Sequence, residues 1–298
     1  MKTQLASTGG RPPCRPCSER CPPMEWLLVE THIALFKARL RRFLGRLEEL
    51  ASRSRVGFAR PVGSASTPAQ RVFESLGPWT SRFLIDGVCL GGPHDFTSDP
   101  RVHHLAQRVG SLNGKRILEL GALEGGHTLE LARAGAAVVA IEGHPANFAR
   151  CLFIKRYFRL ESVEFVLADL RSVEFTRFGR FDAVLNSGVL YHMNAPWDLL
   201  ERVGKVAQSM LLWTECAPTH SRLETVEVCG NRLEGYWYVE GPIDHPLSGK
   251  QPLSFWPTRE SLEHMLRFTG WSAVTWLDFN PDSMYGPSAT IWAERALA

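Results

Sequence analysis

The chain has 298 residues, 44% hydrophobic and 22% charged. That is enough for one large core with an accessory segment, but not for two full domains. A formal net charge of +3 does not by itself demand a nucleic-acid partner, and no apolar run approaches the roughly eighteen residues that span a bilayer. No apolar segment follows the N-terminal charges, so a cytoplasmic address without a membrane span is expected. The seven cysteines are an odd number, and Cys89, Cys151, Cys216 and Cys229 sit in ordinary core or loop segments, so reduced thiols are expected.

Residues 1–23 are rich in Pro, Gly, Ser and Arg and hold few large apolar groups, which predicts a disordered tail. Within it Cys14, Cys17 and Cys21 form C-x2-C-x3-C, but the fourth ligand and a scaffold are missing, so no metal centre is expected. From Met24 to Leu50, Val29, Ile33, Phe36, Leu40, Phe43, Leu47 and Leu50 recur at steps of three and four and predict one amphipathic helix. Its cations, Lys37, Arg39, Arg41, Arg42 and Arg46, could meet RNA phosphates or an anionic surface. The regular stripe points instead to docking on the rest of the chain or on a second copy, giving a homodimer. Residues 52–68 read as a linker, so residues 24–68 form a helix and linker ahead of a domain spanning 69–298.

That domain starts with a short helix near Ala69 to Leu76. From Gly114 onward RILELG, AVVAIE, VEFVLAD, FDAVLNSG and SMLLWTE read as five buried strands separated by helix-length segments, the pattern of a parallel sheet covered on both faces. SAVTWLDF and ATIWAERA are joined by a loop too short for a crossover helix, so they pair antiparallel. The fold class is therefore α/β, a doubly wound, seven-stranded, mostly parallel sheet with an N-terminal helical extension. Between the fifth strand and a helix over Arg259 to Phe268 lies an insertion, 217–257, carrying Tyr236, Trp237, Tyr238, Phe255 and Trp256. So long a loop is usually a lid or a binding wall. Its aromatics either stack on a planar substrate and exclude water, or pack the insertion onto the sheet.

The segment from Ile117 to Thr128 is a strand, a glycine turn and a helix start. Its glycines let the backbone approach a ligand, and the helix supplies free N–H groups. The next strand ends at Glu142, placed to accept hydrogen bonds from both hydroxyls of a ribose, which implies a nucleoside-bearing cofactor. A dinucleotide would require a small residue where Leu123 stands. The acidic Glu119 would repel a phosphate but can hold the ammonium of a methionine moiety.

These residues resemble the class I S-adenosylmethionine (SAM) dependent methyltransferases from about Gly114 to the C-terminus. The resemblance implies SAM as cofactor, with Glu119, Gly121 and Gly125 around its methionine part, Glu142 at the ribose and Asp169 at the adenine amino group. Leu123 departs from the family pattern, where many members have a second glycine. The fourth strand runs into a loop from Asn186 to Trp197 that should face the methyl group, with Asn186 counted at the cofactor. Here His192 is the candidate base and Tyr191 a group that orients substrate or cofactor, although His192 could equally be a structural histidine.

The run GVLYH is also similar to the loop of bacterial enzymes that use carboxy-SAM on the wobble uridine of tRNA, where the tyrosine matching Tyr191 helps bind the extra carboxylate. WTSRFLIDGVCLGG lacks their basic segment, which favours ordinary SAM. The loop also lacks the Asn-Pro-Pro-Tyr arrangement of enzymes that methylate base amino groups. The expected activity is methyl transfer to an O or N nucleophile of a small molecule. A tRNA-modifying enzyme and a non-catalytic binding protein of the same fold stay open as alternatives.

Overall fold

The computed structural model describes residues 65–97 and 99–296. The tail, its three cysteines, the Met24 to Leu50 helix and the dimer expected through it lie outside the described residues.

The first described helix, α1 (Pro68–Ser75), starts at a capping box in which Thr67 and Gln70 satisfy each other's backbone N–H groups. Its buried Phe73 stacks on Trp79 at 4.0 Å. Strands β1 (Arg82–Ile85) and β2 (Val88–Gly91) form an antiparallel hairpin. Its turn, Asp86-Gly87, has both residues at positive φ, 48° and 77°, the conformation that Asp-Gly favours in a two-residue hairpin. Helix α2 (Pro100–Val109) follows, capped by Asp99. The hairpin and α2 were not read from the sequence.

The main sheet contains β3 (Arg116–Leu120), β4 (Ala137–Glu142), β5 (Val163–Leu167), β6 (Ala183–Ser187), β7 (Ser209–Glu215), β11 (Ala273–Asn280) and β12 (Ser288–Glu294), in the order β11-β12-β7-β6-β3-β4-β5. Strands β5, β4, β3, β6 and β7 run parallel, while β12 is antiparallel to both β7 and β11. The side chains alternate between two cores, as the pleat requires. Leu118, Val139, Ile141, Val184 and Leu212 join one, with α5 (Pro196–Val203) and α6 (Arg259–Phe268) supplying Leu199, Leu200, Leu262 and Met265. Ile117, Val138, Ala140, Leu185 and Leu211 join the other, with Leu105 of α2, Leu129 of α3 (Gly126–Arg133) and Ile154 of α4 (Pro145–Tyr157). This is the doubly wound, seven-stranded sheet expected, and its parallel strands deliver their carboxyl ends to one edge.

The insertion is itself a sheet. Strands β8 (Glu224–Val228), β9 (Asn231–Val239) and β10 (Leu253–Pro257) pair antiparallel in the order β10-β9-β8. The Phe255 N–H donates to Met193 O at 2.9 Å, and the Trp256 indole donates to Tyr191 O at 2.7 Å. Both bonds pin the insertion to the loop that leaves β6.

Candidate active site

The glycine turn after β3 is shaped by close packing. Gly121 has φ +70°, and a Cβ there would meet Val189 Cγ2 at 2.4 Å. Leu123 also adopts positive φ, 53°, so the leucine keeps a backbone conformation that glycine takes more easily. It is held there from two sides: its N–H donates to Glu142 Oε2 at 2.8 Å, and its carbonyl receives the Cys151 thiol at 3.4 Å. Gly125, at φ 84°, is the N-cap of α3. Glu119 is 2% exposed and accepts the Thr128 hydroxyl at 2.5 Å. Burial, reinforced by the charge of Glu142, pushes its carboxyl up to about 8.

Glu142 ends β4 with its other oxygen accepting the His144 N–H at 2.7 Å, and burial pushes its carboxyl up to about 7. Asn186, at the end of β6, is fully buried, and its Oδ1 has no hydrogen-bond partner. Asp169 lies in the turn just after β5, two residues beyond Leu167, which pairs with Glu142, and is half-buried; both its oxygens accept Arg171 Nε at 2.9 Å. The Arg171 hydrogen bonds hold its carboxyl below the usual range.

In the loop that leaves β6 a 3₁₀ turn, Leu190–His192, presents two adjacent rings. His192 Nδ1 lies 2.9 Å from Oε1 of Glu240, whose side chain is almost wholly buried. A carboxylate only accepts, so Nδ1 is the donor in this bond and, in the neutral ring, Nε2 keeps its lone pair. Glu240 also accepts from the Ser254 hydroxyl and from the Gly249 N–H at 2.8 Å. Burial alone would raise its carboxyl; the hydrogen bonds from His192, Ser254 and Gly249 outweigh burial and hold it low. Tyr191 packs edge-on to Trp213 and Trp256, and burial raises its phenol well above the usual value.

Several groups here carry no sequence motif. Arg101, in the first turn of α2, donates to Ser187 Oγ at 2.9 Å and lies 4.7 Å over the Trp213 ring, with Asp99 pairing its charge. Glu124 is fully buried and accepts the N–H groups of Thr80 and Ser81, at 2.9 and 2.6 Å, tying the segment before the hairpin to the glycine turn. The stretch after Glu240 is clipped across the site by His144 Nε2 to Ser248 O and by Asn147 Nδ2 to Pro246 O, both at 3.0 Å. The signals that existed were the Ser-Asp-Pro-Arg helix start and a lone acid following Trp-Tyr-Val in the aromatic insertion.

A family model described as a methyltransferase domain matches residues 118–209. The tRNA U34 carboxymethyltransferase of Alcanivorax borkumensis is 30% identical over 222 residues, covering 74% of this chain and 64% of that protein. That of Syntrophotalea carbinolica is 25% identical over 157 residues, covering 51% and 48%. The chain thus spans about half to two thirds of the length of these curated relatives. Among solved structures, the N-terminal domain of EvdMO1 in the presence of S-adenosylhomocysteine (SAH) and D-fucose superposes with a TM-score of 0.66 at 29% identity, covering 76% of this chain and 94% of that one. The same domain with SAH bound gives 0.67 at 28% identity, covering 79% and 100%.

The residue types present fit a cofactor of the SAM kind. Glu142 ends the strand on one side of the glycine turn with its carboxylate bonded to the Leu123 N–H, and the buried Asn186 carbonyl at the end of the strand on the other side is unpartnered. Among the described residues no helix is long and apolar enough to cross a membrane.

Proposed function

We propose that this chain, a class I SAM-dependent methyltransferase by fold and family, methylates a hydroxyl of a small polyhydroxylated molecule of the sugar class. The carrying observation is the hydrogen bond between His192 and the buried Glu240. A hydroxyl must lose its proton as the new O–C bond forms, whereas a neutral amine attacks through its lone pair, so an oriented base suits oxygen better than nitrogen. Support also comes from the EvdMO1 domain, which was studied with D-fucose.

Bound SAM would supply an electrophilic methyl group on its sulfonium. The chain's residues divide the remaining work. Glu119 would hold the ammonium, Gly121 and Gly125 would let the backbone close on the methionine part, and Glu142 would take the ribose hydroxyls. Asn186 would take a donor beside them, and Asp169 the adenine amino group by exchanging a bond with Arg171. His192 Nε2 would receive the acceptor's proton, Glu240 would stabilise the resulting imidazolium, and Tyr191 would orient the acceptor.

A second reading, modification of tRNA, is favoured by the named activity of the curated relatives. Incubating the full chain with methyl-labelled SAM, methyl glycosides of D-fucose, D-glucose and D-mannose, and a tRNA fraction separates the two. Label is expected in a glycoside, and His192→Ala should slow transfer by roughly 100-fold or more, the usual worth of a general base, with SAH affinity retained. Label confined to tRNA, with salt-sensitive tRNA binding, would favour the second reading. Label in neither fraction would point to a binding protein.

A further inference from the structure

Among the described residues five buried glutamates line the carboxyl edge of the sheet and its approaches, and four have both oxygens or their side chain engaged. Glu119 accepts from Thr128, Glu124 from two backbone N–H groups, Glu142 from two more, and Glu240 from His192, Ser254 and Gly249. Glu215 differs. It is 3% exposed, its Oε1 has only a 3.4 Å contact with the Ser283 hydroxyl, and its Oε2 has no partner. Leaving a buried carboxylate oxygen unpaired costs stability, so the fold has no use for it as it stands.

Its position indicates what would pair it. Glu215 is the last residue of β7, and along that strand Leu211, Trp213 and Glu215 fall on one face. Leu211 packs into the core beneath α2. Trp213 lies beyond it under the Arg101 guanidinium and edge-on to Tyr191, and Glu215 comes next. Tyr191 and Tyr285 are both near enough for the Glu215 charge to add to the burial that raises their phenols. The β11–β12 connection brings Ser283 and Tyr285 to this point because Ser288, which starts β12, pairs with Glu215. The carboxylate is therefore the acidic end of an aromatic wall that begins at the reacting loop.

We propose that Glu215 is an acceptor-binding residue, whose free oxygen takes the hydrogen bond of a second hydroxyl on the same molecule that is methylated near His192. This rests on the reading of the acceptor as a small polyol. Aromatic walls suit the C–H faces of such molecules, and a carboxylate suits their hydroxyls. A cationic acceptor would meet the Arg101 guanidinium beside the same Trp213 ring.

The test uses the full chain with Glu215→Gln and Glu215→Ala, four measurements on each. Binding of the methyl glycosides to the SAH-loaded protein and their kcat/KM should both fall roughly 10- to 150-fold in Glu215→Ala, the worth of a hydrogen bond to a charged group. SAH affinity should be unchanged, and the melting temperature unchanged or higher, because an unpaired buried acid has been removed. A deoxy glycoside lacking the contacted hydroxyl should bind wild type and Glu215→Ala equally weakly. Glycoside binding and turnover within twofold of wild type in Glu215→Ala would overturn the proposal alone. A fall in melting temperature in both variants would also overturn it, since Glu215 would then serve the fold. Glycosides that bind neither wild type nor variant would overturn the polyol reading together with it.

Discussion

Glu240→Gln is the most informative single change, because the shape is kept while one acceptor oxygen is lost. The carboxylate receives three donors on two oxygens: His192 and Ser254 on Oε1, Gly249 on Oε2. A glutamine has one acceptor oxygen and one NH₂ group. If the oxygen stays on His192, the NH₂ opposes the Gly249 N–H and loosens the segment clipped over the site. If the amide flips, the NH₂ faces Nδ1 and drives the ring proton to Nε2, which removes the base. Either outcome loses a hydrogen bond to a charged group, worth about 1.5–3 kcal/mol, or roughly 10- to 150-fold in kcat at about 1.4 kcal/mol per decade. Single-turnover transfer from labelled SAM to the methyl glycosides reads this, with SAH affinity as the control. His192→Ala and the double variant should be about as slow as each other, since the two residues act as one unit. A kcat within threefold of wild type, or losses that multiply in the double variant, would refute the assignment of Glu240 as the group that orients the base.

Three further outcomes follow from the cofactor side. The carboxyls of Glu119 and Glu142 are raised from an ordinary 4.5 to about 8 and about 7, so the folded chain holds protons that the unfolded chain releases. Stability without cofactor should fall as pH climbs from about 4.5 to about 8, seen as a falling denaturation midpoint. SAM binding near pH 7 should release a proton as Glu119 meets the ammonium; equal calorimetric heats in buffers of different ionisation enthalpy would contradict this. Gly121→Ala forces a Cβ against Val189 at positive φ and should cost about 1–3 kcal/mol, a fall in Tm of roughly 3–10 °C for a domain of this size. An unchanged Tm would show that the turn is free to shift.

Period and spacing made much of this molecule legible. Strands β3 to β7 are short apolar runs whose alternate residues face two different cores, so burial on both faces is written into their composition. Glu142 was placed by its distance from the glycine turn, and its bond to Leu123 joins those two elements in space. Leu123, which departs from the family pattern in residue type, takes a positive φ that glycine enters more easily, and contacts from Glu142 and Cys151 hold the backbone there. The antiparallel last strand followed from a loop too short to cross the sheet.

The partners of the site residues could not be read in the same way. His192 and Glu240 are 48 residues apart, and their pairing depends on β9 and β10 folding back onto the loop after β6. Arg101 reaches Ser187 from a helix whose place in the fold no periodicity announces, and Glu215 differs from the other buried acids only in having one oxygen, Oε2, without a partner. Local pattern determined the strands, the glycine turn and the acid that follows it, because those depend on burial and backbone geometry within a few residues. Which acid meets which base, and which is left unpaired, was decided by tertiary packing, because a hydrogen bond depends on distances of a few ångströms between segments whose separation along the chain carries no such information.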